Sequence, residues 1–539
     1  MFTDDERARL APYFTNTDRH IFALTNLPET VKGALFARYS RSAKSLRRLF
    51  LDEFSDNMPA HAPSAGGDVG VDRAEKLYAR VFNEYGDDSV AQLGGAHLAC
   101  EYVSNILTKV LEWGRLMAYL EQSTRYVPYT DKLDDRWRYH VPAELEGALR
   151  DRYTSTMDEI FALYAKWIPA MQEHFARRYP KSPADSDAVH RTAIRAKALD
   201  TLRGMLPAAT QSNVGIYGTG QAYEALLIRM RAHPLAEVRE CGDAMLVELR
   251  KVIPAFLTRV DLPDRGERWS RYFETNREAV ASLAQTLLDG IEPAASEEVT
   301  LTDFDPDGEV KIVAAALYAV SPLPDNQLLA IARRMSADER AAVLRAYSGE
   351  RTNRRHRPGR AFERTAYRFD VLTDYGAFRD LQRHRLLTLE WQPLTPRHGY
   401  TEPEAIRDAG AGADWDRAMH ASAGLHDAIA AAGLSSAAQY AVVMAYRVRF
   451  YMDMNAREAM HLIELRTAPQ GHPAYRRVCQ RMHTLIAEQA GHVAVAGAMT
   501  FVDHTSVELE RLGAERKAER VLRSAFPPSS STSRTRQET

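Results

Sequence analysis

Cysteine is scarce: the 539 residues contain three, Cys100, Cys241 and Cys479, well separated and in no Cys-x-x-Cys pair. That excludes a disulfide framework and a thiolate zinc site and favours a reducing compartment. None of the three stands in a local sequence setting that would lower a thiol pKa, which argues against a cysteine nucleophile. Long apolar runs are also missing. No stretch approaches the roughly 18 apolar residues that cross a bilayer, and the first residues, MFTDDERARLAPYF, are acidic with no signal-type core. A cytoplasmic protein with no membrane partner is expected. Net charge is nearly absent, with 70 basic against 72 acidic residues and a formal total of -2. A general polyanion binder is therefore disfavoured and no nucleic-acid partner is expected, although local arginine clusters such as Arg351–Arg360 remain. There is no Gly-x-Ser-x-Gly elbow, His-Glu-x-x-His or phosphate loop, and no metal site is expected.

What is present is a folded composition, 45% hydrophobic and 26% charged, with room for two or three domains. Three- and four-residue apolar spacing predicts helices over runs such as Ala418–Ala431 and Ser435–Met454. The runs Glu309–Ala315 and Val310–Val320 read as strand. Ser55–Val71, rich in Pro, Ala and Gly, reads as a loop, and the polar residues 527–539 as a disordered tail. A weak internal repeat organises the rest. Ile228-Arg-Met-Arg-Ala-His-Pro234, followed by Arg239, Cys241 and Leu246, is echoed by Ile463-Glu-Leu-Arg466 and His472-Pro473, followed by Arg477, Cys479 and Leu485. A boundary near Asp264–Glu298 gives modules at 1–265 and 300–520.

Three clusters carry candidate chemistry. Arg383-His384-Arg385 follows a short helix that Asp374 is placed to cap. Its cations either complement the helix dipole or present forks to an oxyanion around a hydrogen-bonding imidazole. Glu121-Gln-Ser123-Thr-Arg125, preceded by Arg115, puts a hydroxyl and a guanidinium on one side of an extended segment, unless it is merely a solvated strand. Asn455, Arg457 and Arg466 recur at helical spacing among Met, Leu and Ile, which points to a partly buried polar cluster needing partners.

Together these fragments resemble the signature of flavin-dependent thymidylate synthases, an Arg-His-Arg followed by Ser, Asn-Glu, Ser and Arg, and later an Asn-x-Arg with a downstream Leu-Arg. In the first half Glu121, Ser123 and Arg125 match the second part, and Arg115 the second arginine. Trp113 and Gly114 stand where Arg and His belong, and Ala118 replaces the middle Ser. The second half is the converse. Arg383, His384 and Arg385 are complete and Thr388 stands for Ser, but Trp391, Pro393 and Thr395 replace Glu, Ser and Arg. Asn455, Arg457 and Arg466 complete the later motif only there; Gly220-Gln-Ala-Tyr223 has no counterpart, and Arg231 matches the downstream arginine. The Leu206-Pro207 turn and Tyr85–Ala91 are also similar to the family, with Asp87 in place of its usual histidine.

The resemblance implies an α+β fold of two helix-rich modules, each with a small sheet, as tandem thymidylate synthase-complementing-protein-like repeats. It implies FAD as hydride carrier, NADPH and methylenetetrahydrofolate as cosubstrates and dUMP as acceptor. Arg383, His384, Arg385, Asn455 and Arg457 would then hold the flavin; Glu121, Ser123, Arg125 and Arg466 would bind dUMP, with Arg466 stabilising charge on the uracil. Because the halves have lost different parts, sites composed from both modules are expected, in a homodimer of tandem chains that mimics the family's tetramer. The alternative is a non-catalytic flavin- or nucleotide-binding descendant; an RNA-binding helical protein is a weaker third reading.

Overall fold

The computed structural model describes residues 2–39, 42–55 and 92–525. The loop expected over 56–71, the Tyr85–Ala91 segment and the 527–539 tail lie outside the described residues. The chain forms two compact units. One comprises residues 1–122, 142–144 and 211–293; the other comprises 123–141, 145–210 and 294–539.

In the first unit, after helices α1 (Asp4–Leu10), α2 (Glu29–Tyr39) and α3 (Leu46–Glu53), the chain runs β1 (Gly95–Ser104), α4 (Asn105–Leu111) and β2 (Met117–Glu121). Two long helices, α5 (Gly147–Arg178) and α6 (Asp187–Leu202), then belong to the second unit. The first unit resumes with β3 (Gln211–Thr219), α7 (Gly220–Arg231), α8 (Ala236–Arg250) and α9 (Gly266–Leu287). Strand β3 lies between β1 and β2, antiparallel to both.

The second unit repeats that plan. Strand β4 (Val299–Phe304) and α10 (Gly308–Tyr318) precede β5 (Ala366–Asp374), α11 (Tyr375–Leu381) and β6 (Thr388–Trp391). Helix α12 (Gly412–Ala431), β7 (Arg447–Asn455), α13 (Ala456–Arg466) and α14 (Pro473–Glu488) follow. Here β7 lies between β5 and β6, with β4 added at the edge. The two modules are thus tandem α+β repeats, as expected. At each of the four strand-to-helix joints the last strand residue is the helix cap. The side chains of Ser104, Thr219, Asp374 and Asn455 accept from the backbone N–H three residues on, satisfying a donor the first turn would otherwise leave unpaired.

Two sequence expectations need correction. Residues 308–318 are helical, not strand: Gly308, Ile312, Val313 and Ala316 share one buried side, and Ala314 is buried on another, so packing covers most of the helix. The run Ser435–Met454 is helical only at its start, as an α-helical turn over Ser435–Ala438 and a 3-10 turn over Gln439–Ala441. Its end is the central strand β7, in which Val448, Phe450, Met452 and Met454 point inward and the intervening residues outward. Ala418–Ala431 is helical as expected, within α12. No described helix is long and apolar enough to cross a membrane.

Candidate functional site

The second unit gathers the motif residues. Its first-half segment is fixed by main-chain hydrogen bonds: Ala445 and Met444 N–H donate to the carbonyls of Gly204 and Leu206, and Ala208 N–H donates to Val442 at 2.8 Å. These bonds bring the end of α6 and the Leu206-Pro207 turn against the entrance to β7. Asp200 and Arg203 enter the site with them.

Ser123–Val127 does not continue β2. The backbone turns, with Val127 N–H donating to the Ser123 carbonyl and Arg125 N–H to Ser123 Oγ, so Ser123 and Arg125 do not share one side of an extended segment. The turn aims Arg125 inward. Its Nε and Nη2 fork onto Asp200 at 2.8 and 2.7 Å, and its Nη1 donates to the Tyr475 hydroxyl at 3.1 Å. Arg466, at the end of α13, lies over the same Tyr475 ring, 5.5 Å from its centroid. The structure therefore brings Arg125 and Arg466 to one side chain. Glu121 is placed elsewhere, in the first unit, where it pairs with buried Lys109 at 3.1 Å. Arg231, also in that unit, pairs with Asp243. Counted from the helix caps, Met230 rather than Arg231 stands at the distance of Arg466.

Asp380 is a second anchor, one turn before the triplet. Arg203 approaches it at 3.3 Å and Arg466 at 3.9 Å. Burial pushes its carboxyl up, but Arg203, Arg383, Arg466 and Arg125 together overcome this and hold it well below the usual range. Asp200 likewise is pushed up by burial and pulled down further by Arg125.

His384 is buried between the exposed Arg383 and Arg385. Its Nε2 accepts from Arg466 Nε at 3.0 Å, so the ring proton resides on Nδ1, which donates to Glu458 at 3.2 Å. Burial lowers the imidazole to about 4 against the pull of Glu458, and Glu458 is held at about 2 because His384 and His461 outweigh its burial. His384, Glu458 and His461 converge closely enough to surround a cation. The Arg466 donor argues against one, because it leaves no lone pair on His384 Nδ1. Asn455 is occupied as the α13 cap, and Arg457 donates to the Pro358 carbonyl. Arg351, from the arginine cluster, forks onto Glu464 with both side chains almost wholly buried, an ion pair inside the fold.

Asp200, Arg203 and His472 also line a cavity of about 500 Å³ with Trp415, Met444 and Phe175. That volume is in the range of small-molecule pockets. Burial, reinforced by Arg203, keeps His472 neutral.

Sequence reasoning missed Asp200, Arg203, Asp380, Glu458 and Tyr475. The available signal was a set of charged side chains at otherwise apolar helical positions, which burial without partners would forbid. It also missed the thiols of Cys100 and Cys241, which lie together in the first unit. Cys100 is lowered because Cys241 hydrogen-bonds to it, contrary to the expectation that no cysteine pKa is lowered.

The thymidylate synthase complementing protein family matches residues 34–255 and 300–490. A UPF0159 protein of Chlamydia muridarum is 39% identical over 95% of this chain and 98% of its own. A flavin-dependent thymidylate synthase of Clostridium tetani is 25% identical over 36% of this chain and 75% of its own. Among solved structures, a UMP/dUMP methylase of Streptomyces cacaoi bound with 5-Br dUMP is similar at 18% identity, covering 40% of this chain and 100% of that one, with a TM-score of 0.31. Two matched regions, two copies of one strand-helix plan and full-length relatives lead to one conclusion: this chain belongs to the thymidylate synthase complementing protein family, as a tandem member of the UPF0159 type.

Proposed function

We propose that the second unit binds dUMP at the Arg125, Arg203 and Arg466 cluster and that the chain is a flavin-dependent thymidylate synthase, forming dTMP with methylenetetrahydrofolate and NADPH. The observation that carries this reading is the meeting of Arg125 and Arg466 on Tyr475, a residue 350 positions from Arg125 in sequence. Each half supplies the cation the other lacks. The two guanidiniums fit the phosphate and the developing negative charge of a uracil ring. The exposed Arg383 and Arg385 fit the diphosphate of FAD, which when bound would supply the hydride. His384, with both ring nitrogens engaged internally, would instead orient Arg466.

One observation favours the second reading, a nucleotide- or flavin-binding descendant without turnover. Arg125 already forks onto Asp200, and His384 donates to Glu458 and accepts from Arg466, so these two motif side chains are satisfied by the protein itself.

Calorimetric titration of dUMP, with and without FAD, tests the proposal. Arg125→Ala (paired with Asp200→Asn, so that no buried carboxylate is orphaned) and Arg466→Ala should each weaken binding by roughly 2–4 kcal/mol. Combined, they should lose less than the sum, because both serve one ligand; Arg231→Ala should change little. Absence of dUMP binding, or full additivity, would refute the shared site. Binding of dUMP and FAD without dTMP formation would select the second reading.

A further inference from the structure

Helix α9 lies in the gap between the two regions that match the family. One side of it faces its own unit: Gly266 and Ser270 are buried, Ser270 Oγ donates to the Ile228 carbonyl at 2.9 Å, and Arg277 donates to the Ala232 carbonyl. At 100° per residue, a second side, turned roughly 90° from the first, carries Trp269, Tyr272, Val280, Leu283 and Leu287. These are 52%, 59%, 66%, 60% and 71% exposed.

The spacing on that side is specific. Trp269, Asn276 and Leu283 recur every seventh residue, and so do Phe273, Val280 and Leu287, the two series alternating by four and three. Such a narrow seam suits another helix and is too narrow for a globular core. Glu267, Arg271, Glu274 and Glu278 fall on the far side of the helix, Ala279, Ala284 and Thr286 flank the seam, and the one cation beside it, Arg277, is turned to the Ala232 carbonyl of its own unit. Asn276 stands near the middle of the stripe, where a single polar residue fixes register.

We propose that α9 pairs antiparallel with α9 of a second copy of this chain through this stripe. Antiparallel pairing keeps the two first units, which hold the start of each helix, at opposite ends. Burial removes on the order of 100 Å² from water per side chain of this size, so the two stripes offer roughly 1,000 Å² of the ~1,200 Å² total that a specific interface needs. The two-fold axis makes the contact self-complementary and closed.

Sedimentation and light scattering of the full chain at micromolar concentration should give a dimer. Leu283→Glu should raise its dissociation constant at least ~100-fold, because two-fold symmetry places the buried charge in the interface twice. Asn276→Leu should lower it about 10-fold by removing the one polar residue of the seam. Both positions are exposed in the single chain, so helix content and melting temperature should stay near wild type; if Leu283→Glu does not fold, Asn276→Leu decides alone. A monomeric wild type, a dimer that Leu283→Glu leaves intact, or no tightening by Asn276→Leu would overturn the proposal. None of these outcomes touches the nucleotide site, whose residues lie in the other unit.

Discussion

Acidification should destabilise the second unit through His384, and replacing that residue should remove a defined part of the effect. The imidazole is buried, with its side chain 3% exposed, and burial lowers it from 6.5 to about 4. An unfolded chain takes up the proton below pH 6.5, whereas the folded chain resists until about pH 4. The folded state is therefore penalised progressively as pH falls through that window, and the contribution is fully present above pH 6.5. At 1.36 kcal/mol per pH unit, the interval from 6.5 to 4 is worth about 3 kcal/mol. Glu458, lowered from 4.5 to about 2, loses its contribution only as pH falls through that lower range. The interval from pH 6.5 to 4.5 thus separates His384 from Glu458, and the comparison with a variant at His384 separates it from the other buried histidines, such as His472. In His384→Gln the amide can still donate to Glu458 and accept from Arg466, but it cannot titrate. Urea unfolding at pH 7.5, 6.5, 5.5 and 4.5 should show the wild-type stability falling faster than that of His384→Gln, by about 2–3 kcal/mol over the last two units. Superimposable pH profiles would refute the buried neutral imidazole.

Two further outcomes follow from the packing. Arg351→Ala leaves Glu464 as an unpaired charge in a site where both side chains are at most 2% exposed, and should cost about 3–5 kcal/mol in urea unfolding; the double change Arg351→Met with Glu464→Leu should recover most of it. Gly204→Ala places a Cβ 2.6 Å from the Trp415 ring and 3.1 Å from Ala445 Cβ. It should destabilise by about 1–3 kcal/mol, read as a lower melting temperature, with Gly215→Ala, whose added Cβ meets nothing closer than 3.9 Å, as the mild comparison.

The sequence by itself determined the family, the tandem α+β plan and the Asp374 cap, because these rest on local chemistry. Asp374 can accept from the first turn of the helix that follows it whatever packs around it, and the Arg-His-Arg triplet stands intact in the linear order. Local pattern was also where the sequence misled. The β-branched run after Gly308 lies on a helix, since packing of Ile312, Val313 and Ala316 outweighs propensity. The alternation of Val448, Phe450, Met452 and Met454 belongs to a strand embedded in a run that also fits helical spacing. Only the tertiary structure decided which charges meet. Arg125 and Asp200 precede the second module in sequence yet fold within its unit, drawn there by α5, α6 and the Leu206-Pro207 turn laced onto residues 442–445. Glu121, four residues before Arg125, stays behind with Lys109. Burial then forces each carboxylate and guanidinium to find a partner, and those partners come from whatever the packing of distant segments brings within reach, which no local pattern encodes.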